Sequence, residues 1–338
     1  KIAEGLVDQK GLFAYDVYNE PIYFDRGDYS KAETKAFVKN YNNIIKMAAP
    51  KHLTTIGLTH YKIVYEWDPE LMDVDFLSFH AYPYWSKNLS LLERFESKLY
   101  WISKNITKPW IVGETGLNTV TKCDPMNLSS GTKKNQLKFM KYSLKKFRSA
   151  GASGYSWWNY QDSRIRLDGE CPHWDRYGLI ESKKEGNYSD GHIGKMKHAI
   201  KKLPFLKFLN NSPYKTEKHK NIPMPPKKHY YNIDYLPNHK NALGKVLDQN
   251  GNPIRDAIIT LKNTISNTQY STFSKPDGTF DLKTGWTNIF LFCSPSYKDL
   301  EFKLRVTAVK KKTVNIPLSH IYSGKENLLQ DVILYDFK

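Results

Sequence analysis

Two glutamates stand immediately behind apolar, aromatic stretches of the chain. Glu20 follows GLFAYDVY (11–18) in the motif NEP, and Glu114 follows PWIV (109–112) in the motif GETG. Such runs are typical of buried strands, so both carboxyls are predicted to lie at strand ends. Cleavage of a glycosidic bond requires one carboxyl that protonates the leaving oxygen and a second that meets a developing oxocarbenium ion. The alternative for either glutamate alone is a salt bridge that ties neighbouring strands together.

The elements that must position these carboxyls alternate between strand and helix. Strand-like runs occupy 11–18, 52–58, 73–82, 109–114 and 151–158, and helix-like stretches cover about 32–45, 89–104, 133–149 and 192–203. Strands that alternate with helices indicate βαβ units and a parallel sheet. In a (β/α)8 barrel the functional groups lie at the C-terminal ends of the strands, where both glutamates fall. The predicted fold class is therefore α/β, a (β/α)8 TIM barrel.

Five strands are too few to close an eight-stranded barrel. An open five-stranded piece would leave an exposed interior and two unpaired edges. We therefore expect that three N-terminal β/α units precede this stretch in the same protein. For a typical barrel of about 250 residues they would form a segment of roughly 100–150 residues. This missing N-terminal barrel segment is the one protein partner that the sequence predicts.

Composition divides the chain into three parts. Residues 1–210 form the barrel part, and residues 211–239, rich in Pro, Lys and Asn without an apolar period, are predicted to be a linker. Residues 240–338 consist of short strand-like runs separated by hairpin-type turns such as DQNGNP (248–253) and KPDGTF (275–280). The third part is therefore predicted to be an all-β sandwich.

Four segments of the barrel part resemble a known group of enzymes. They are YDVYNEP (15–21), FHAYP (79–83), IVGETG (111–116) and GYSWWNYQD (154–162). Together they resemble clan A retaining glycoside hydrolases and are most similar to the family-five cellulase and mannanase group. The resemblance spans roughly residues 5–205. It implies cleavage of β-glycosidic bonds in a polysaccharide or oligosaccharide by double displacement, and we expect neither a cofactor nor a metal ion.

The resemblance assigns roles to the two carboxyls. Glu20 corresponds to the acid/base and Glu114 to the nucleophile of the clan. A catalytically inactive carbohydrate-binding barrel would use the same cleft, but loss of one carboxyl is its usual mark and both are present here. A transglycosylase would share every one of these residues and differ only in how it excludes water.

Four further side chains are candidates for contact with the sugar. The resemblance implies that Asn19 hydrogen-bonds the 2-hydroxyl of the sugar at the cleavage point and that Tyr82 touches the nucleophile. His80 falls at the same strand end as Tyr82, and its alternative role is that of a core histidine. Trp158 matches the tryptophan that lies beneath the sugar. Because strand neighbours point in opposite directions, Trp157 is then expected to pack against a helix.

Other residues in the predicted loops could also contact substrate or pack the loops themselves. They are the aromatic Tyr84, Trp85, Tyr160 and Trp174 and the polar Asp162, Arg164, Arg166 and His173. Aromatic rings offer flat apolar faces with few rotamers, which suits them to sugar rings.

The C-terminal part resembles a second family. LGKVLDQNGNPIRDAIITLKNT (243–264) and STFSKPDGTFDL (271–282) look like a carboxypeptidase regulatory-like domain, a transthyretin-like sandwich often appended to secreted bacterial enzymes. The resemblance implies a stabilising spacer or, alternatively, a module that attaches to carbohydrate or to a surface. The pairing of domains leads us to expect a bacterial protein that is secreted, on the cell surface or periplasmic.

The net charge of +17 is spread along the chain and does not indicate a nucleic-acid partner. Lysine supplies 43 of the 51 basic residues, whereas readers of nucleic acid depend on arginine for bidentate contacts. A lysine-rich sequence bias explains the charge, and an anionic polysaccharide substrate is the alternative. No apolar run is long enough for a membrane span. The three cysteines lack the spacing of a metal site, although Cys123 and Cys171 could form a disulfide between adjacent loops.

Overall fold

The computed structural model describes thirteen stretches of the chain and one single position. They are residues 1–21, 29–59, 61–83, 90–119, 132–159, 177–178, 180–182, 191–193, 225, 230–231, 240–263, 269–284, 302–318 and 327–337. Within them, no helix is both long enough and apolar enough to cross a lipid bilayer.

The N-terminal part contains a five-stranded parallel sheet in the order β1-β2-β3-β4-β5. Its strands are β1 Ala14–Asn19, β2 Leu53–Leu58, β3 Leu77–His80, β4 Trp110–Thr115 and β5 Tyr155–Trp157. Its helices are α1 Ile2–Gly5, α2 Lys31–Ala48, α3 Ser90–Asn105 and α4 Lys133–Ala150, with 3₁₀ turns at Tyr61–Tyr65 and Pro69–Leu71. The prediction of α/β units with a parallel sheet is confirmed. The described strands form an open sheet, not a closed barrel.

Local sequence signals fix the ends of two of these helices. Ser30 caps α2 by accepting a hydrogen bond from the Glu33 amide, and the Glu33 carboxylate accepts one from the Ser30 amide in return. Gly151 ends α4 with φ 105°, a left-handed conformation that glycine adopts without steric strain. Because residue 151 terminates the helix, β5 begins only at Tyr155 and is shorter than the predicted 151–158.

The predicted helix over 192–203 does not begin where expected. Gly191–Ile193 is a strand, β7, that pairs antiparallel with Ile180–Ser182, β6. The remainder of the predicted helix lies outside the described residues. The start of the predicted helix, residues 192 and 193, is therefore wrong, because these residues belong to a β-ladder.

The C-terminal part is built from two sheets that share one core. One sheet has the antiparallel order β10-β9-β12-β13, and in the other β8 pairs with β11, β14 and β15. The strands are β8 Lys240–Asp248, β9 Ile258–Asn263, β10 Gln269–Phe273, β11 Thr279–Thr284, β12 Phe302–Thr307, β13 Val314–Leu318, β14 Asn327–Leu328 and β15 Val332–Leu334. Side chains from both sheets, including Val246, Leu261, Phe280 and Leu304, are buried between them.

One residue of the predicted linker belongs to the folded core. Tyr230 is fully buried and packs with Trp101 of α3 and Phe273 of β10 in the same apolar cluster. Its hydroxyl donates to Asp256 Oδ1 at 2.6 Å. The stretch 211–239 is therefore not a free linker at this point, because an aromatic side chain anchors it.

Candidate active site

Glu20 follows β1 directly and is held in an unusual backbone conformation. Its φ of 50° lies in the left-handed region, which costs a residue with a Cβ roughly 1–3 kcal/mol. The Glu20 amide donates to the Gly57 carbonyl of β2 at 2.9 Å, which fixes the turn against the neighbouring strand. A strained conformation of this kind persists only where the surrounding structure imposes it. In this conformation the Glu20 carboxylate reaches His80 of β3.

His80 joins the two carboxyls. Its Nδ1 lies 2.8 Å from Glu20 Oε1 and 3.5 Å from Glu114 Oε2. The His80 side chain is 3% exposed, whereas the Glu20 and Glu114 side chains are 21% and 18% exposed. The imidazole is thus buried beneath two carboxyls that reach solvent.

Two glycines on the flanking strands make room for the His80 ring. A Cβ on Gly57 of β2 would lie 3.1 Å from His80 Nε2, and a Cβ on Gly113 of β4 would lie 3.2 Å from the same atom. The Gly113 Cβ would also stand 1.9 Å from Ser78 Oγ. A side chain at Gly113 would clash with Ser78, and one at Gly57 would require its neighbours to shift by a few tenths of an ångström.

Glu114 lies in β4 and receives a hydrogen bond from Tyr82. The Tyr82 hydroxyl donates to Glu114 Oε2 at 2.7 Å. Burial and the hydrogen bond to the Glu114 carboxylate raise the pKa of Tyr82 well above its usual value. The phenol therefore stays protonated at every physiological pH and acts as a fixed donor to one oxygen of Glu114.

The three groups are close enough to share a ligand. One atom from each of Glu20, His80 and Glu114 can be chosen so that all lie within 4.8 Å of one another. Two carboxylates and an imidazole at this spacing could hold a divalent cation, or they could act directly on a bond placed between them. Glu20, His80 and Glu114 therefore form a candidate active site at the C-terminal edge of the parallel sheet.

Asn19, the last residue of β1, approaches Gly57 from the same side as His80. The hypothetical Gly57 Cβ would be 3.1 Å from both Asn19 Oδ1 and His80 Nε2. The β1–β2 register shifts between Asp16 and Asn19. Asn19 is solvent-exposed, as expected of a group available to a ligand.

The two tryptophans of β5 and its end have different surroundings. Trp157 packs against Phe139 of α4 and donates from Nε1 to the Tyr177 carbonyl at 2.8 Å. Trp158 is 43% exposed, and its amide donates to the Thr115 carbonyl at the end of β4. Its indole is therefore available at the edge of the sheet where the carboxyls lie.

Several sequence candidates lie outside the described residues, so nothing is said of their position. They are Tyr84, Trp85, Tyr160, Asp162, Arg164, Arg166, His173 and Trp174, together with Cys123 and Cys171.

Tyr177 contributes to the site without having been predicted. Its ring meets that of Tyr82 edge-on with centroids 5.9 Å apart and covers Gly116, where a Cβ would lie 2.7 Å from Tyr177 Cδ1. Burial raises the pKa of Tyr177 to about 12. No apolar period or motif surrounds Tyr177 in the sequence. The one sequence signal for it is Gly116, since a glycine at a strand end can indicate that another group packs closely against the backbone.

Comparison with known proteins gives a limited result. No protein-family model and no curated protein matches the chain. A β-glucuronidase from Ruminococcus gnavus in complex with D-glucuronic acid is similar in structure, with a TM-score of 0.44 and 14% identity over 59% of this chain and 34% of that chain. A β-D-glucuronidase of Dictyoglomus thermophilum has a TM-score of 0.44 and 16% identity over 60% and 34%. The chain thus spans about a third of the length of these proteins, and likeness this weak assigns neither activity nor substrate.

Proposed function

We propose that this chain carries the catalytic carboxyls of a retaining β-glycoside hydrolase that acts on a polysaccharide or oligosaccharide. The observation that carries the proposal is the pair Glu20 and Glu114, whose nearest oxygens approach within 4.8 Å around His80. Retaining enzymes hold their carboxyl groups about 5–5.5 Å apart, and inverting enzymes hold them about 6.5–9.5 Å apart. The 4.8 Å bound applies to one oxygen of each carboxyl, so the assignment of retention follows the resemblance of the motifs and is tested below by product stereochemistry.

In the first step Glu20 gives its proton to the leaving oxygen as the bond from that oxygen to the anomeric carbon breaks. Glu114 forms a bond to the same carbon and becomes a glycosyl ester. In the second step Glu20, now a carboxylate, takes a proton from water while the water oxygen attacks the anomeric carbon. The ester bond breaks and Glu114 is restored as a carboxylate, so protons and bonds balance over the cycle.

The hydrogen bonds around Glu114 suggest which oxygen attacks. Tyr82 donates to Oε2, and His80 approaches the same atom. We assign Oε1 to the attack on the anomeric carbon, with Oε2 held in place. A donor on Oε2 also stabilises the carboxylate when it leaves the ester in the second step.

Asn19 and Trp158 complete the proposed sugar site. An amide beside His80 can hydrogen-bond the 2-hydroxyl of the sugar, whose interactions strengthen in the transition state. The exposed indole of Trp158 offers an apolar face to the sugar ring.

We further propose that three β/α units from elsewhere in the protein complete the barrel, that residues 240–338 form a transthyretin-like domain, and that the protein is exported from a bacterial cell.

A substrate panel followed by product stereochemistry tests the proposal. Mannan, cellulose, xylan and mixed-linkage glucan oligosaccharides and a set of aryl β-glycosides, a β-glucuronide among them, would be offered to the protein in its complete form. Proton NMR of the first product should show the β-anomer before mutarotation, and Glu20→Gln and Glu114→Gln should each lose activity. A first-formed α-anomer would contradict retention, and full activity in either variant would contradict its role.

A chelation experiment separates direct acid/base catalysis from metal catalysis at the same three residues. Activity should be unchanged after dialysis against EDTA, because the proposed steps use only the carboxyls. Activity that is lost on dialysis and restored by a divalent cation would assign Glu20, His80 and Glu114 to a metal centre instead.

A further inference from the structure

The connection between β2 and β3 departs from the strand–helix alternation of the sheet. α2, α3 and α4 link the other strands, but the described residues of this connection form two 3₁₀ turns, Tyr61–Tyr65 and Pro69–Leu71. In a right-handed β-α-β unit a helix would cover the outside of the two strands it joins. Among the residues that the structure describes, no helix of the connection covers the outer layer of the sheet between α2 and α3.

The same connection is buried although it is not a helix. Every residue from 61 to 72 except Lys62 and Leu71 is buried. Connections of this kind usually run over the surface, because buried backbone polar groups need partners. Something must therefore cover the segment and satisfy its polar groups.

The outer face of the β10-β9-β12-β13 sheet covers it. Tyr65 donates its hydroxyl towards the Ile258 carbonyl and Thr260 Oγ1 of β9, at 3.1 and 2.9 Å. Ile258 and Phe273 share one apolar cluster with Trp101 of α3. The alternate residues of β9, such as Ile259, face the other way into the C-terminal core. β9 is thus buried on both faces, like a strand in the middle of a layered domain.

Three acidic residues of the connection each have at least one partner in the C-terminal part. Glu66, Asp68 and Glu70 are 3%, 0% and 9% exposed. Arg305 of β12 forms an ion pair with Glu66, and Lys310 donates its amide to Asp68 at 2.8 Å and places its Nζ 3.3 Å from Glu70. A buried carboxylate that loses its partner is strongly destabilising. Removal of the C-terminal part would therefore take one partner from each of these three carboxylates and expose them.

A buried lysine ties α2 to the same turn. Lys31, the first residue of α2, donates to Asp68 Oδ2 at 2.8 Å, to the Ala308 carbonyl at 3.0 Å and to the Lys311 carbonyl at 2.7 Å. A lysine ammonium has three donors, and all three are used. The turn after β12 is therefore an anchor for the start of the helix that follows Glu20.

We propose that the β10-β9-β12-β13 sheet takes the place of the missing outer helix and is an obligatory layer of the catalytic unit. The C-terminal part is then not a module that swings on a linker, and the covered sheet face does not bind carbohydrate. The interface consists of the connection 61–72, the start of α2 and Trp101 of α3 on one side. On the other side it consists of β9, β10, β12 and residues 308–311.

Cleavage of the chain between the two parts tests this proposal. A protease recognition sequence would be inserted within residues 212–220, ahead of the anchored Tyr230, and the purified chain would be cut. The two pieces should coelute in size-exclusion chromatography, and both the cut and the uncut protein should unfold in a single transition. Pieces that separate under native conditions, or two independent unfolding transitions, would overturn the proposal.

A charge exchange in the uncut chain provides a second test. Arg305→Glu should lower the unfolding midpoint by roughly 5 °C or more, since it leaves Glu66 buried beside a like charge. The double variant Glu66→Arg/Arg305→Glu should recover at least half of that shift. Lys303→Glu is the control, because it reverses an exposed charge two residues away on the same strand. An Arg305→Glu shift no larger than that of Lys303→Glu, or no recovery in the double variant, would contradict the interface.

Discussion

Replacing Tyr82 by phenylalanine removes one hydroxyl and leaves the ring in place. The lost bond joins a neutral phenol to the Glu114 carboxylate over 2.7 Å. Hydrogen bonds to charged groups contribute about 1.5–3 kcal/mol, and each 1.36 kcal/mol changes a rate tenfold. If the bond holds Glu114 in its attacking orientation and stabilises it as a leaving group, kcat/KM should fall by a factor of roughly 10–150.

The assay is the steady-state hydrolysis of an aryl β-glycoside chosen from the substrate panel, measured together with the thermal unfolding midpoint. Tyr142→Phe serves as a matched control, because the Tyr142 hydroxyl donates to Glu96 in an analogous tyrosine–carboxylate pair between α4 and α3. The control should keep kcat/KM within about twofold of the wild type. If Tyr82→Phe falls in the same range while Glu114→Gln is inactive, the hydroxyl does not assist the nucleophile and this part of the reasoning is refuted.

Two further predictions concern packing and pH. Gly113→Ala should lower both the free energy of unfolding and kcat/KM, because its Cβ would lie 1.9 Å from Ser78 Oγ. Adding Ser78→Ala should restore part of the stability measured by urea unfolding. A fully stable and active Gly113→Ala variant would show that the space between Gly113 and Ser78 is not tightly packed. Burial raises the pKa of Glu70, but bonds from Thr107, the next backbone amide and Lys310 outweigh it and hold the pKa below the ordinary value of 4.5. The Glu70 carboxylate therefore contributes stability that is present above pH 4.5 and lost as the pH falls through the folded pKa. The free energy of unfolding of the wild type should exceed that of Glu70→Gln by about 1–3 kcal/mol near neutral pH. This difference should shrink when unfolding is measured in increasingly acidic buffer, and a difference independent of pH would contradict the pairing.

The strands of the parallel sheet could be predicted because each lies in a stretch rich in apolar and aromatic residues that alternates with helix-like stretches. The same pattern located Glu20 and Glu114 at strand ends, and the structure brings them together around His80. Periodicity was less reliable where an element is short. Residues 191–193 form a β-ladder that carries no signal distinct from the start of a helix.

The contacts that could not be predicted join residues far apart in the chain. Tyr65 reaches Thr260 and Lys31 reaches Ala308, and in neither case does local sequence indicate a partner. Tyr230 lies in a stretch whose composition is typical of a linker, yet its ring is buried. Composition describes the average of a segment, whereas a single aromatic side chain is enough to anchor it.

The assignment of Glu114 as nucleophile is tested most directly by trapping the glycosyl ester. An activated 2-deoxy-2-fluoro β-glycoside of the preferred sugar slows both steps, and its good leaving group lets the first step outrun the second. Mass spectrometry of the intact protein should show the mass of one fluoroglycosyl group, and peptide mapping should place it on Glu114. A label on Glu20 or on another residue, or turnover of the panel substrate without any covalent adduct, would contradict the account.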